Sequence, residues 1–243
     1  MGLYFVMKCA FLVALLFLVA LAFGQNLIPN PGFDDLTDCP NEHGQISFAH
    51  PWVTATNGTP DVYNECSSTE RISVPNAGIS NDSYQVQISG GGYAGIFVFE
   101  NFSYPGISEY IETPLTIELQ TNVQYYIRFY VSPDITLTDN NWIFTDAIGL
   151  ALSDTFYYEE LVPHLSSSLE PVVENIGKVI TDTIGWTEVN GCYKAKGGEK
   201  YAIIGNFRSE SETTVVVANP AIYNHVSYFY IEDVLIQAFD PLP

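Results

Sequence analysis

The run QYYIRFYVS, residues 124–132, decides the fold. In an extended chain Tyr125, Ile127, Phe129 and Val131 fall on one face and Tyr126, Arg128 and Tyr130 on the other. Aromatic and β-branched residues alternating in this way suit a pleated, half-buried surface. Similar runs are YQVQIS (84–89), YAGIFVFE (93–100), LTIEL (115–119), DAIGLALS (146–153), KYAIIGNF (200–207) and TTVVVA (213–218). Between them lie the turn clusters NGTPD, VPNAGISND, SGGG, SYPG and KGG. Many short strands with Gly, Pro and Asn punctuation predict an all-β sandwich or barrel, not alternating βα units. The segment Tyr157–Leu169, broken by Pro163 and by Ser166–Ser168, reads as a loop with at most one helical turn. No internal period of repeat length is present.

Residues 1–24 contain one cation, Lys8, and no acid, and the apolar run Cys9–Phe23 ends in Ala22-Phe23-Gly24. That is the pattern of a cleavable secretory signal. The run falls short of the roughly 20 residues a spanning helix prefers. Export is therefore expected, to the periplasm, the cell surface or beyond, with no membrane span after cleavage. Residues 25–243 fit one β-sandwich or barrel domain. Without Lys8, seven basic residues stand against 28 acids. Such a field repels nucleic acid and anionic membrane and attracts divalent cations. A hydrophobic fraction of 47% with 14% aromatics argues for a packed fold despite the acidity.

Three cysteines follow the signal: Cys39, Cys66 and Cys192. In an exported chain two of them can pair. Cys39 and Cys66 both sit in turn-rich segments, and this pairing is favoured over either with Cys192. It closes a loop of about 27 residues, worth roughly 3 kcal/mol in the chain-entropy model.

The two ends of the processed chain read NLIPNPGFDD (26–35) and YFYIEDVLI (228–236). Pro29, Pro31 and Gly32 keep the first from being a central strand and leave carbonyls free. Glu232 and Asp233 interrupt the second, an otherwise apolar strand, so one of them should point inward unless a bulge intervenes. An inward carboxylate needs hydrogen bonds or a metal. If the ends meet, Asp34 or Asp35 together with Glu232 or Asp233 could hold a structural calcium ion (Ca2+). A rim carboxylate accepting backbone N–H groups is the alternative.

These ends resemble those of carbohydrate-binding modules with a galactose-binding-like jelly roll, which read close to N-L-x-x-N-x-G-F-E and Y-x-D-D-V. Asp34 stands where a glutamate is usual, and Glu232 replaces the first aspartate of the final pair. The resemblance implies a two-sheet β-sandwich with calcium where the termini meet. DCP (38–40), PW (51–52), GTPDVYNEC (58–66), EYIETPL (109–115) and GGEKYAIIGNF (197–207) narrow it. They look like N-terminal modules of exported Gram-negative surface proteins that often precede an outer-membrane-protein-A-like, peptidoglycan-binding domain. That likeness implies a role at the cell envelope. The chain stops at Pro243, just past the last strand run, so the peptidoglycan-binding domain itself is expected to be missing.

No catalytic motif accompanies the four histidines, His43, His50, His164 and His225. Cys192, in NGCYKAKGG, reads as an idle or buried cysteine. Among 28 acids some pair must stand at glycosidase spacing by chance, so spacing carries no weight. A non-enzymatic binding module is expected, its ligand a glycan or another cell-envelope polymer. Sugar binding calls for exposed rings and polar side chains, and the candidates are Tyr84, Tyr93, Tyr126, Arg128, Tyr130 and Trp142. Trp52 and Trp186 have apolar neighbours and are assigned to the core. The alternative is a structural or adhesion protein that contacts envelope proteins through its sheet face or acidic surface. A glycoside hydrolase ranks below both.

Overall fold

In the computed structural model, residues 24–79, 82–100, 108–134, 143–160, 165, 169–217 and 226–239 are described. The signal segment and Trp142 lie outside them. Twelve strands are formed by the described residues. The first six are β1 (Val53–Thr54), β2 (Asp61–Asn64), β3 (Gly92–Glu100), β4 (Ile111–Pro114), β5 (Gln124–Asp134) and β6 (Ile143–Thr145). The others are β7 (Ile148–Ser153), β8 (Pro171–Asn175), β9 (Thr187–Lys194), β10 (Tyr201–Gly205), β11 (Val215–Val217) and β12 (Val226–Ala238). A single turn of 3-10 helix, Ile46–Phe48, precedes β1.

The strands form two five-stranded sheets, ordered β1-β4-β10-β7-β8 and β2-β3-β12-β5-β9, and a ribbon β11-β6. Every strand pairing is antiparallel. Alternation decides what lies between the sheets. Ala94, Ile96 and Val98 of β3, Ile127, Phe129 and Val131 of β5, and Phe229, Ile231 and Ile236 of β12 enter one buried cluster. Ile111 of β4, Ile148 and Leu150 of β7, Val173 of β8, and Ala202 and Ile204 of β10 meet them from the other sheet. The result is an all-β, two-sheet sandwich, as the period-2 runs require.

Five of the runs contain the strands expected of them: β3, β5, β7, β10 and β11. Two do not. LTIEL lies just beyond β4, where the Thr116 N–H turns to the carbonyl of Leu27 and leaves the ladder. YQVQIS has an alternating pattern but forms no ladder; it crosses the outer face of the second sheet as a strap.

The two ends of the processed chain are bound to each other. The Leu27 N–H donates to the Ile236 carbonyl (2.7 Å), and the Val234 N–H to that of Pro31 (3.1 Å). The Asn26 side chain donates to Val234 (2.8 Å) and accepts from the Ile236 N–H (3.1 Å). Trp52 is fully buried against Phe33, its Nε1–H on the Asn30 carbonyl (2.9 Å). Cys39 and Cys66 form the disulfide, leaving Cys192 free and exposed on β9.

A second buried cluster covers half of the outer face of the β2-β3-β12-β5-β9 sheet. Tyr63, Tyr93, Tyr228 and Tyr230 rise from the strands, and Ile72, Val74 and Ala77 close over them. Gly95 makes this possible: a Cβ there would sit 2.0 Å from the Tyr228 hydroxyl.

Candidate functional site

The half of that face left uncovered belongs to β5 and β9. Tyr126, Arg128 and Tyr130 alternate outward from β5. In register, Cys192, Asn190 and Glu188 of β9 stand opposite them and share their face. Glu188 ties the surface together, accepting the Tyr126 hydroxyl (2.8 Å), the Tyr130 hydroxyl (3.2 Å) and the Asn190 amide (2.9 Å). Burial and these bonds to Glu188 hold the Tyr126 phenol above its ordinary pKa, so it stays protonated as a donor. The Arg128 guanidinium lies 5.2 Å from the centre of the Tyr130 ring, occupying one side of it. It also pairs with Asp233 (2.7 Å). The Nε of Arg128 is buried without a hydrogen-bond partner among the described residues.

Three of the six expected ligand-binding residues, Tyr126, Arg128 and Tyr130, thus form one face. Tyr84 is 58% exposed, on the strap. Tyr93 is a correction: the strap and Ala77 cover it completely. Its hydroxyl donates to the Gln85 and Ala77 carbonyls, and its ring packs on Tyr230 and Trp186. A ring in that position cannot stack on a sugar. Glu188 and Asn190 were missed, although Glu188, Asn190, Cys192 and Lys194 alternate with Val189 and Tyr193 at strand spacing. Trp186 is half-buried against the tyrosine cluster, its Nε1–H on the Val86 carbonyl (2.8 Å).

The four carboxylates expected to share a metal separate into two groups. A bulge in β12 between Glu232 and Leu235, with Asp233 at φ 49°, breaks the strand's alternation. Glu232 is fully buried and accepts the N–H groups of Ile88 (2.6 Å) and Ser89 (2.8 Å). Burial, together with the charges of Asp34 and Asp233, pushes its pKa up to about 7. Asp34 accepts the Gly91 N–H (2.6 Å). The Asp34 carboxylate also fills the place where a Cβ on Gly90, at a left-handed φ of 63°, would stand. Asp35 and Asp233 stand apart from Asp34 and Glu232. Asn30 bonds the Asp35 backbone and holds this exposed residue at the turn, while Asp233 is committed to Arg128. Among the described residues no three carboxylate, histidine or cysteine side chains gather as a metal site. Of the four, Asp34 and Glu232 are left close enough for the charge of one to act on the other. Elsewhere, a hollow of about 450 Å³ is lined by polar residues of the 67–76 loop and has no aromatic ring.

No helix among the described residues is long and apolar enough to cross a membrane. No protein-family model and no curated protein sequence matches the chain. Similar solved structures include the CBM22-1 xylan-binding domain of Paenibacillus barcinonensis Xyn10C. It shows 12% identity and a TM-score of 0.45 over 90% of this chain and 98% of that one. The N-terminal cellulose-binding domain of Cellulomonas fimi β-1,4-glucanase C aligns at 10% identity and a TM-score of 0.39, over 90% and 100% of the two chains. The K1 cleaved adhesin domain of Porphyromonas gingivalis Lys-gingipain aligns at 14% and 0.40, over 86% and 96%.

Proposed function

We propose that this chain is an exported, non-catalytic module of one domain, residues 25–243, that binds a glycan or another cell-envelope polymer through the open face of β5 and β9. One observation carries the reading: two half-buried phenols, a guanidinium, a carboxamide and a carboxylate lie side by side on one open sheet face. Sugars present apolar C–H faces to rings and hydroxyls to such donors and acceptors. Glu188 fixes both phenols before any ligand arrives, which lowers the ordering cost of binding. Calcium in this reading is a scaffold ion between Asp34 and Glu232, where its charge offsets two neighbouring acids, and takes no part in contacting the ligand.

Affinity electrophoresis through gels containing xylan, hydroxyethyl cellulose or mannan tests the proposal, with purified peptidoglycan as a sedimentation probe. At least one polymer is expected to retard or sediment the protein. Tyr126→Ala should then weaken binding about tenfold, the loss of one ring contact and one hydrogen bond to a charged group. A protein that migrates freely in every gel and leaves peptidoglycan unbound overturns the reading.

A further inference from the structure

The strap, residues 83–89, is built the wrong way round for a surface segment. Two of its polar side chains face in and its apolar ones face out. Ser83 and Gln85 are buried, while Tyr84, Val86 and Ile88 are 58%, 50% and 41% exposed. Polar contacts fasten it down. Asp134 accepts the Ser83 hydroxyl (2.8 Å), Gln85 Oε1 accepts the Ser132 hydroxyl (2.8 Å), and Glu232 accepts Ile88 and Ser89 N–H groups. Beside it Ile184, whose carbonyl takes a Gln85 amide N–H (3.4 Å), is 88% exposed. An exposed apolar ridge of this kind marks a contact surface.

The ridge adjoins the open face. Glu232, which holds the end of the strap, stands opposite Tyr130 in the β12–β5 register. Trp186, which holds its middle, lies two residues before Glu188. We propose that the strap is the second wall of the binding groove. Tyr84 and Val86 then cover the apolar face of sugar units further along the polymer, beyond Tyr130, than those bound on Tyr126 and Arg128. This rests on the polymer-binding reading above. The occupant is the same polymer because the ridge continues that face. A net charge of −20 opposes a second copy of the chain on an uncharged strap.

The test measures Tyr84→Ala, Val86→Ser and Tyr126→Ala by affinity electrophoresis in the polymer that retards the parent protein. All three side chains are partly or largely solvent-exposed, and unchanged melting temperatures will show that the fold is kept. Expected is a weakening of about tenfold for Tyr84→Ala and a smaller one for Val86→Ser. A loss confined to Tyr126→Ala overturns the wall and leaves the polymer-binding reading standing. Free migration of the parent protein in every polymer overturns both. Sedimentation that shows a dimer dissolved by Tyr84→Ala assigns the ridge to a second copy and also overturns the wall.

Discussion

Arg208 has all three guanidinium nitrogens committed: Nε to Glu174 (2.6 Å), Nη1 to Asp146 (3.3 Å) and Nη2 to the Asn175 carbonyl (3.3 Å). Asp146 is almost fully buried and also accepts N–H groups from Gly177 (2.9 Å) and Thr214 (2.9 Å). One cation therefore joins β8, the turn after it and the chain leading into β11. Burial works against the Asp146 charge, but the N–H bonds and Arg208 outweigh it and hold its pKa below the usual carboxylate range. Arg208→Ala strands that carboxylate without its ion partner. Denaturant unfolding should show a loss of about 3 kcal/mol or more. A surface arginine whose pairing is solvent-screened would cost well under 1 kcal/mol.

At the scale of elements, the meeting of the ends was legible, since proline placement and paired acids are local signals. The partners of each acid were not. Whether Asp233 points inward depends on one bulged residue in β12, and strand periodicity carries no record of a bulge. The strap was misread for a related reason. YQVQIS alternates like a strand, but its inward partners are the side chains of Asp134, Ser132 and Glu232, which lie far away in sequence. Tyr93 went the same way, its burial decided by that cover. The β5 face was legible because nothing lies over it. The proposed ion between the terminal segment and β12 has its own test. Chelator should lower the melting temperature and added calcium restore it, because a ligand bound only by the native state adds stability. A melting curve unmoved by chelator removes the ion.

Across the whole molecule, several acids are buried without a cation. Glu109 accepts N–H groups from Thr59 (2.8 Å) and Phe97 (3.0 Å), and Glu112 accepts that of Tyr157 (3.0 Å). Burial pushes both up to about 7, with the charge of Asp61 adding to the effect at Glu109. Burial also raises Asp61 and Asp134. An acid whose folded pKa lies above its unfolded value contributes stability that is complete below the unfolded pKa and lost as pH rises through the folded one. The opposite limb belongs to Asp146 and Glu199. Burial raises Glu199, but the Tyr193 hydroxyl and the Lys196 and Gly197 N–H groups outweigh it, and its pKa is lowered. Those two acids contribute stability above the ordinary carboxylate range that is lost in stronger acid. The melting temperature is thus expected to peak in mild acid, near the ordinary carboxylate pKa of about 4 to 5, to fall by several degrees between about pH 5 and 7, and to level off above. The double variant Glu109→Gln, Glu112→Gln should flatten the alkaline limb. A melting temperature that climbs from pH 5 to 8 would contradict this account.

Hydrogen bonding of Asn26 and Leu27 to Val234 and Ile236 leaves the polypeptide a nearly closed ring in space. A short linker joining the two extremities, with new ones opened at the exposed turn of Asp154 and Thr155, gives a circular permutant. Every sheet register described above would survive in it, since none depends on the order in which the strands are threaded.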